Sequence, residues 1–154
     1  MAEEIYPMPS FPTLIVSDIE RSLEFYRETL GFKHIFTMPG PDGKPALVHL
    51  RWLQYADLLL ALPRNGKEIP EQRGAGVLLN FQMLERFNGS VDALAKQARA
   101  RGANIMSGPL DQPWNVREMT ILDPDGYRLV FTAPLNVDLS FDEVVGNTAG
   151  DTRA

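Results

Sequence analysis

The sequence predicts an α+β fold made of two tandem βαβββ modules, and three observations carry that prediction. An apolar run closes on a capped, amphipathic helix near the start. Three strand-like segments separated by turn signals follow it. The same grammar then repeats at a spacing of 71 residues: Gly31 and Gly102, Pro63 and Pro134, and "LLL" at 58–60 over "LVF" at 129–131 all fall on one shift.

The elements follow in order. In "TLIVSDIERSLEFYRETLGF" Asp18 is placed to cap a helix, Ile19, Leu23, Tyr26 and Leu30 recur at helical spacing, and Gly31 stops it. Strands are expected at about 32–38, 46–53 and 57–62, parted by "PGPDGKP" and "QYAD" and ended by Pro63. In the second half "GVLLNFQM" reads as a strand and "SVDALAKQARARG" as a helix capped by Ser90 and stopped by Gly102. "ANIMS", "WNVREMTIL" and "YRLVFTA" read as three more strands. Module one thus spans about 10–63, a linker rich in charge, Pro and Gly spans 64–73, module two about 74–134, and a tail without periodicity 135–154, ending in a frayed "NTAGDTRA". "YPMPSFP", with three prolines, suits an edge or crossover arm, because proline lacks a backbone donor.

Composition narrows the function. With 154 residues and 44% hydrophobic content, the chain is expected to form a single domain that closes one sizeable core, or two small similar modules that share one. A net charge of −5 argues against nucleic acid and anionic membranes as partners. The absence of cysteine removes disulfides, thiolate nucleophiles and thiolate metal sites together. No stretch has the roughly 20 apolar residues of a membrane span, and no signal peptide is legible, so a cytoplasmic protein is expected. Asp123 and Asp125 in "DPDG" are explained by turn chemistry, and Arg99 and Arg101 by a solvated helix end.

With its two βαβββ modules, "DIERSLEFYRETLGF" near the start and "DPDGYRLVF" near the end, the chain resembles the vicinal oxygen chelate superfamily, the glyoxalase, bleomycin-resistance and extradiol-dioxygenase fold, over residues 10 to 134. The resemblance implies a curled mixed sheet around a ligand cavity, with helices outside. It also implies where a divalent metal would be held: at Phe11 and Leu78, three residues before the core residues Leu14 and Phe81, and at Leu59 and Val130 on the closing strands. All four are apolar, whereas such sites use His and Glu or Gln. No metal or other cofactor is therefore expected. His34 and His49 fall on inner strands, away from those rows.

In the metal-free, bleomycin-resistance-type branch the penultimate strand reads Pro-Trp-Gly-x-Arg-Glu-Phe, then Asp-Pro-x-Gly. "PWNVREM" followed by "DPDG" is similar, with Asn115 for the glycine and Met119 for the phenylalanine. The resemblance implies that Trp114 stacks on a flat part of a ligand, and that the chain is a homodimer exchanging its N-terminal arm.

Alternation agrees in part. If Met119 and Ile121 face the helix, then Trp114, Val116, Glu118 and Thr120 turn into the cavity, joined by Arg128, Val130 and Thr132, while Arg117 turns the other way. Phe36, Met38 and Trp52 are candidates for the opposite wall, and His49 for a ligand contact. An indole face, a carboxylate and apolar walls suit a flat, partly cationic or hydrogen-bonding molecule. The leading reading is a non-catalytic binding protein that sequesters an aromatic antibiotic or natural product. The alternatives are a metal-free cyclase, isomerase or epimerase using Glu118 or His49 as base, and a glyoxalase- or dioxygenase-like metalloenzyme should the ligand positions be misaligned.

Overall fold

In the computed structural model, residues 5–64 and 69–149 are described. They fall into two compact units: the chain up to Val77 together with Asp123–Tyr127, and Leu78–Leu122 together with Arg128 onward. Residues 65–68 of the expected linker and 150–154 of the expected tail lie outside the described residues.

In the first unit β1 (Thr13–Ile15) leads to α1 (Ile19–Glu24). The Asp18 side chain accepts from the Arg21 N–H at 3.0 Å, as the cap reading requires. The helix continues into a π-helical turn (Phe25–Thr29), and Gly31, at φ 86°, lets the chain leave it. β2 (Lys33–Pro39), β3 (Pro45–Leu53) and β4 (Ala56–Ala61) then build a sheet of order β1-β4-β3-β2. β1 runs parallel to β4 and the other pairs are antiparallel. One face carries Leu14, Val48, Leu50, Leu58 and Leu60, buried with Ile19, Tyr26 and Leu30 of the helical segment. Each such side chain removed from water contributes about 1.5–3 kcal/mol before entropy is counted.

The second unit repeats this plan. β5 (Leu79–Gln82), a short α2 (Glu85–Asn88), α3 (Val91–Ala100), β6 (Asn104–Gln112), β7 (Val116–Leu122) and β8 (Arg128–Pro134) give the order β5-β8-β7-β6. The Ser90 hydroxyl caps α3 by accepting from the Ala93 N–H at 3.1 Å. Phe131 stacks on Phe81 with ring centroids 5.5 Å apart, and Met119, Ile121 and Leu129 complete the face under Val91, Leu94, Ala95 and Ala98.

Two elements depart from the sequence reading. β6 runs five residues past Ser107 to Gln112, carried through by Gly108 at φ 83° and two register shifts against β7. Phe141–Ala149 forms a helix, α4, in the segment expected to lack periodicity. Its start is fixed locally: the Glu143 carboxylate accepts from the Ser140 N–H and hydroxyl, both at 2.8 Å, which holds its pKa below the ordinary range. Arg99 is exposed on α3, as read, and also donates to the Gly108 carbonyl at 3.2 Å. No described helix is long and apolar enough to cross a membrane.

The "DPDG" turn is more than a turn. Asp123 is buried, and its carboxylate accepts from Tyr26 Oη and from the Asp125 and Tyr127 N–H groups, each at 2.9 Å. Tyr127 Oη donates to the Ile15 carbonyl at 2.7 Å, and Asp125 accepts from the Ser17 N–H. Burial pushes both the Tyr26 hydroxyl and the Asp123 carboxyl above their ordinary pKa ranges. A carboxyl whose folded pKa is raised favours folding most when protonated. Its contribution is full below the unfolded value of about 3.9 and is lost as pH rises through the raised folded value. Asp123→Asn is therefore expected to flatten this part of the stability-versus-pH curve, read by urea denaturation across the acid range. An unchanged curve would contradict the assignment.

Candidate functional site

Each unit offers a candidate surface on the sheet face that turns away from its own helices. In the first unit cross-strand pairs order that face into rungs. Phe36 pairs with His49, and His49 with Leu59. Met38 pairs with Leu47, and Leu47 with Ala61. Arg51 pairs with Asp57. Phe36 meets the His49 ring edge-on at 5.5 Å and 79°. Met38, Leu47 and Ala61 line a groove of about 1070 Å³, bounded also by the start of α1 and the β2–β3 turn.

The polar centre of this face is a buried network. Asp57 receives Arg51 Nε at 2.8 Å and Arg51 Nη2 at 2.9 Å, and His49 Nε2 lies 2.6 Å from its Oδ2. The Tyr6 ring lies under the guanidinium, 4.3 Å from Cζ, and Tyr6 Oη accepts from the Tyr55 N–H. The proline arm thus seats one of its aromatic residues on this face. Sequence reasoning missed Arg51 and Asp57. The signal was present: His49 and Arg51 alternate onto one face, and a turn of two residues after Leu53 brings Asp57 opposite Arg51. His49, read as lying away from the ligand rows, is instead the direct cross-strand partner of Leu59.

In the second unit Val116, Glu118 and Thr120 alternate away from Met119 and Ile121 as read, with Glu118 opposite Thr132 and Thr120 opposite Val130. Arg117 turns the other way. It donates to Asp92 at the start of α3 at 2.6 and 2.9 Å and to Asp111 at 2.6 Å, which holds its pKa above, and that of Asp92 below, their ordinary ranges. Arg128 is exposed at the start of β8.

Two tryptophans are placed differently from the sequence reading. Trp114 is not in the strand, which begins at Val116. It sits in the preceding turn, 47% exposed, beside Asn115 at φ 66°. Asn115 is pinned there: its side chain donates to the Asn136 carbonyl at 2.7 Å and accepts from the Asn136 N–H at 3.0 Å. Strand alternation therefore does not set the facing of Trp114. Trp52 is buried and packs on Phe32 at 5.0 Å, in the helix-side core, because it shares the parity of Val48 and Leu50.

The donor set does not fit a metal. Leu59 and Val130 lie on the faces away from the helices. Phe11 precedes β1 and Leu78 precedes β5, and both are about half exposed. All four carry hydrocarbon. His49 is committed to Asp57, and His34 Nε2 lies 2.8 Å from Thr37 Oγ1. Among the described residues no three His, Asp or Glu side chains converge on one point.

The sequence pattern of the Glyoxalase/Bleomycin resistance protein/Dioxygenase superfamily matches residues 10–131. The chain belongs to that superfamily. An uncharacterised protein of Mycobacterium bovis is 26% identical over 147 residues, covering 94% of this chain and 93% of the relative. Among solved structures, TnmS3, an antibiotic binding protein from Streptomyces sp. CB03234, superposes with TM-score 0.59 at 26% identity, covering 86% of this chain and 98% of that one. A glyoxalase/bleomycin resistance protein from the same Streptomyces superposes with TM-score 0.56 at 27% identity, covering 79% and 96%. Within the superfamily this chain keeps the paired βαβββ plan and carries apolar side chains at the metal positions that the resemblance implies.

Proposed function

We propose that this protein binds a flat aromatic small molecule without a metal and sequesters it, in the manner of an antibiotic-resistance or self-resistance protein. The observation that carries the reading is the hydrocarbon at Phe11, Leu59, Leu78 and Val130. The similarity to an antibiotic binding protein supports it. In the first unit Phe36, Met38 and His49 offer an apolar face with one polar group; in the second, Val116, Glu118, Arg128 and Val130 offer another, and half-exposed Trp114 an indole able to stack, worth about 1 kcal/mol beyond area burial. Trp52 is left out, because its ring belongs to the core. The protein acts as a homodimer and works in the cytoplasm; its N-terminal arm, read as exchanged between subunits, lies on its own chain, with the Tyr6 ring over Arg51.

The test is a thermal-shift series with bleomycin, daunorubicin, Mn²⁺, Ni²⁺ and Zn²⁺. A binder at a hundredfold excess over Kd stabilises the fold by about 2.7 kcal/mol. An antibiotic is expected to raise the midpoint and the metals to leave it unchanged; a shift with metals alone would contradict the reading. A second reading, a metal-free isomerase or cyclase, is favoured by one observation, the His49 ring held by a buried carboxylate. Chromatography and proton NMR of the recovered ligand separate the two, since a binder returns it unchanged and an isomer differs in structure though not in mass.

A further inference from the structure

The Arg51–Asp57–His49 network fixes one ring nitrogen of His49 and leaves the other available. Asp57 is salt-bridged to Arg51 through both oxygens, and a carboxylate offers acceptors only. The 2.6 Å contact with His49 therefore requires the proton on Nε2. In the neutral ring Nδ1 is then the lone-pair nitrogen. Among the described residues His49 makes this one side-chain hydrogen bond. The buried polar atoms left without a partner are Ser22 Oγ, Arg73 Nε, Asn88 Nδ2 and Asp125 Oδ2. Nδ1 is not among them, so it keeps access to its surroundings although the residue is only 8% exposed.

Phe36 stands edge-on to the ring and Leu59 is its cross-strand neighbour, while Met38, Leu47 and Ala61, one rung along, line the groove of about 1070 Å³ together with the charged side chains of Asp18, Asp42 and Lys44. We infer that His49 Nδ1 is the specificity-determining acceptor for a phenolic hydroxyl, so that the ligand class is a hydroxylated aromatic, and that Asp57 is the positioning residue that sets the tautomer. A lone oriented acceptor in an apolar wall selects a ligand with one donor on a flat hydrocarbon body and rejects its O-methyl ether, which has no proton to give. The inference rests on the proposed aromatic-binding role and deepens it.

Naphthol and methoxynaphthalene are suitable probes, since they share the ring system and differ in the donor. Calorimetric titration is expected to give naphthol at least about tenfold tighter binding than the ether. His49→Phe keeps an aromatic ring and removes Nδ1, and is expected to shrink the naphthol-to-ether affinity ratio to about one. Nitrogen NMR of the free wild-type protein should show His49 as the Nε2–H tautomer, with the Nδ1 resonance moving on addition of naphthol and not of the ether. Asp57→Asn is expected to lose the pure tautomer signature, a readout that a merely structural role would not move. Equal binding of both probes, unchanged discrimination in His49→Phe, or an Nδ1–H tautomer in the free protein overturns the inference and leaves the binding role standing. Failure of both probes to bind overturns both.

Discussion

Asp57→Ala is expected to cost roughly 3–5 kcal/mol, a large share of the about 5–15 kcal/mol that holds a domain of this size together. The reason is what the substitution leaves behind. Arg51 and Asp57 are 6% and 4% exposed, so removing the carboxylate takes away two hydrogen bonds of a buried guanidinium and the acceptor of the His49 Nε2–H at once. The attraction within the pair is not the source of this figure, because desolvation offsets much of it; the loss comes from buried donors of Arg51 and His49 deprived of this carboxylate. Two consequences follow for urea denaturation. The single variant loses midpoint at an unchanged m-value. Arg51→Met combined with Asp57→Leu, which removes both charges, recovers most of the loss. If the double variant is as unstable as the single one, the network is not what makes the site sensitive.

Gly108→Ala is expected to cost about 2–5 kcal/mol. A Cβ built on Gly108 would lie 2.4 Å from the Glu118 carbonyl oxygen and 2.9 Å from Met119 Cα, both backbone atoms that cannot swing aside. The backbone φ of 83° adds to this, since an L side chain is strained there. Gly126→Ala serves as the control. Its φ of 94° carries a similar conformational penalty, but nothing lies within 4 Å of its Cβ, so about 1 kcal/mol is expected. Equal losses at the two positions would show that conformation alone, and not the close approach of β6 to β7, sets the cost at Gly108. The position matters for function because Glu118 and Met119 lie on opposite faces of β7, one on the candidate site and one in the core.

The fold was legible wherever the chemistry is local. Asp18 and Ser90 cap their helices through their own side chains, and both signals lie within three residues of what they bind. Period-two patterning placed Met119 and Ile121 in the core and Glu118 and Thr120 opposite them, since a strand alternates whatever it packs against. Reading failed where backbone geometry interrupts the period. Asn115 at a positive φ ends the hairpin turn and takes Trp114 out of the strand, although the quoted motif runs through it unbroken. Trp52 was misassigned for the opposite reason: it obeys the parity of β3, which had not been anchored to Val48 and Leu50. The Arg51–Asp57–His49 network required the register of β3 on β4 and then Tyr6 from the arm, a residue 45 positions before Arg51 in the chain. Asp123 looked like a turn residue because it is one; its bond to Tyr26 crosses 97 residues and is invisible to any local pattern.

The most direct test is equilibrium titration of the purified protein with daunorubicin and bleomycin in the presence of excess EDTA, with the metal content of the same sample read by atomic emission. The account predicts saturable, one-to-one binding of an aromatic antibiotic that the chelator does not weaken, on protein carrying far less than one metal per chain. Affinity that EDTA abolishes and stoichiometric Mn²⁺, Fe²⁺, Ni²⁺ or Zn²⁺ restores would contradict it.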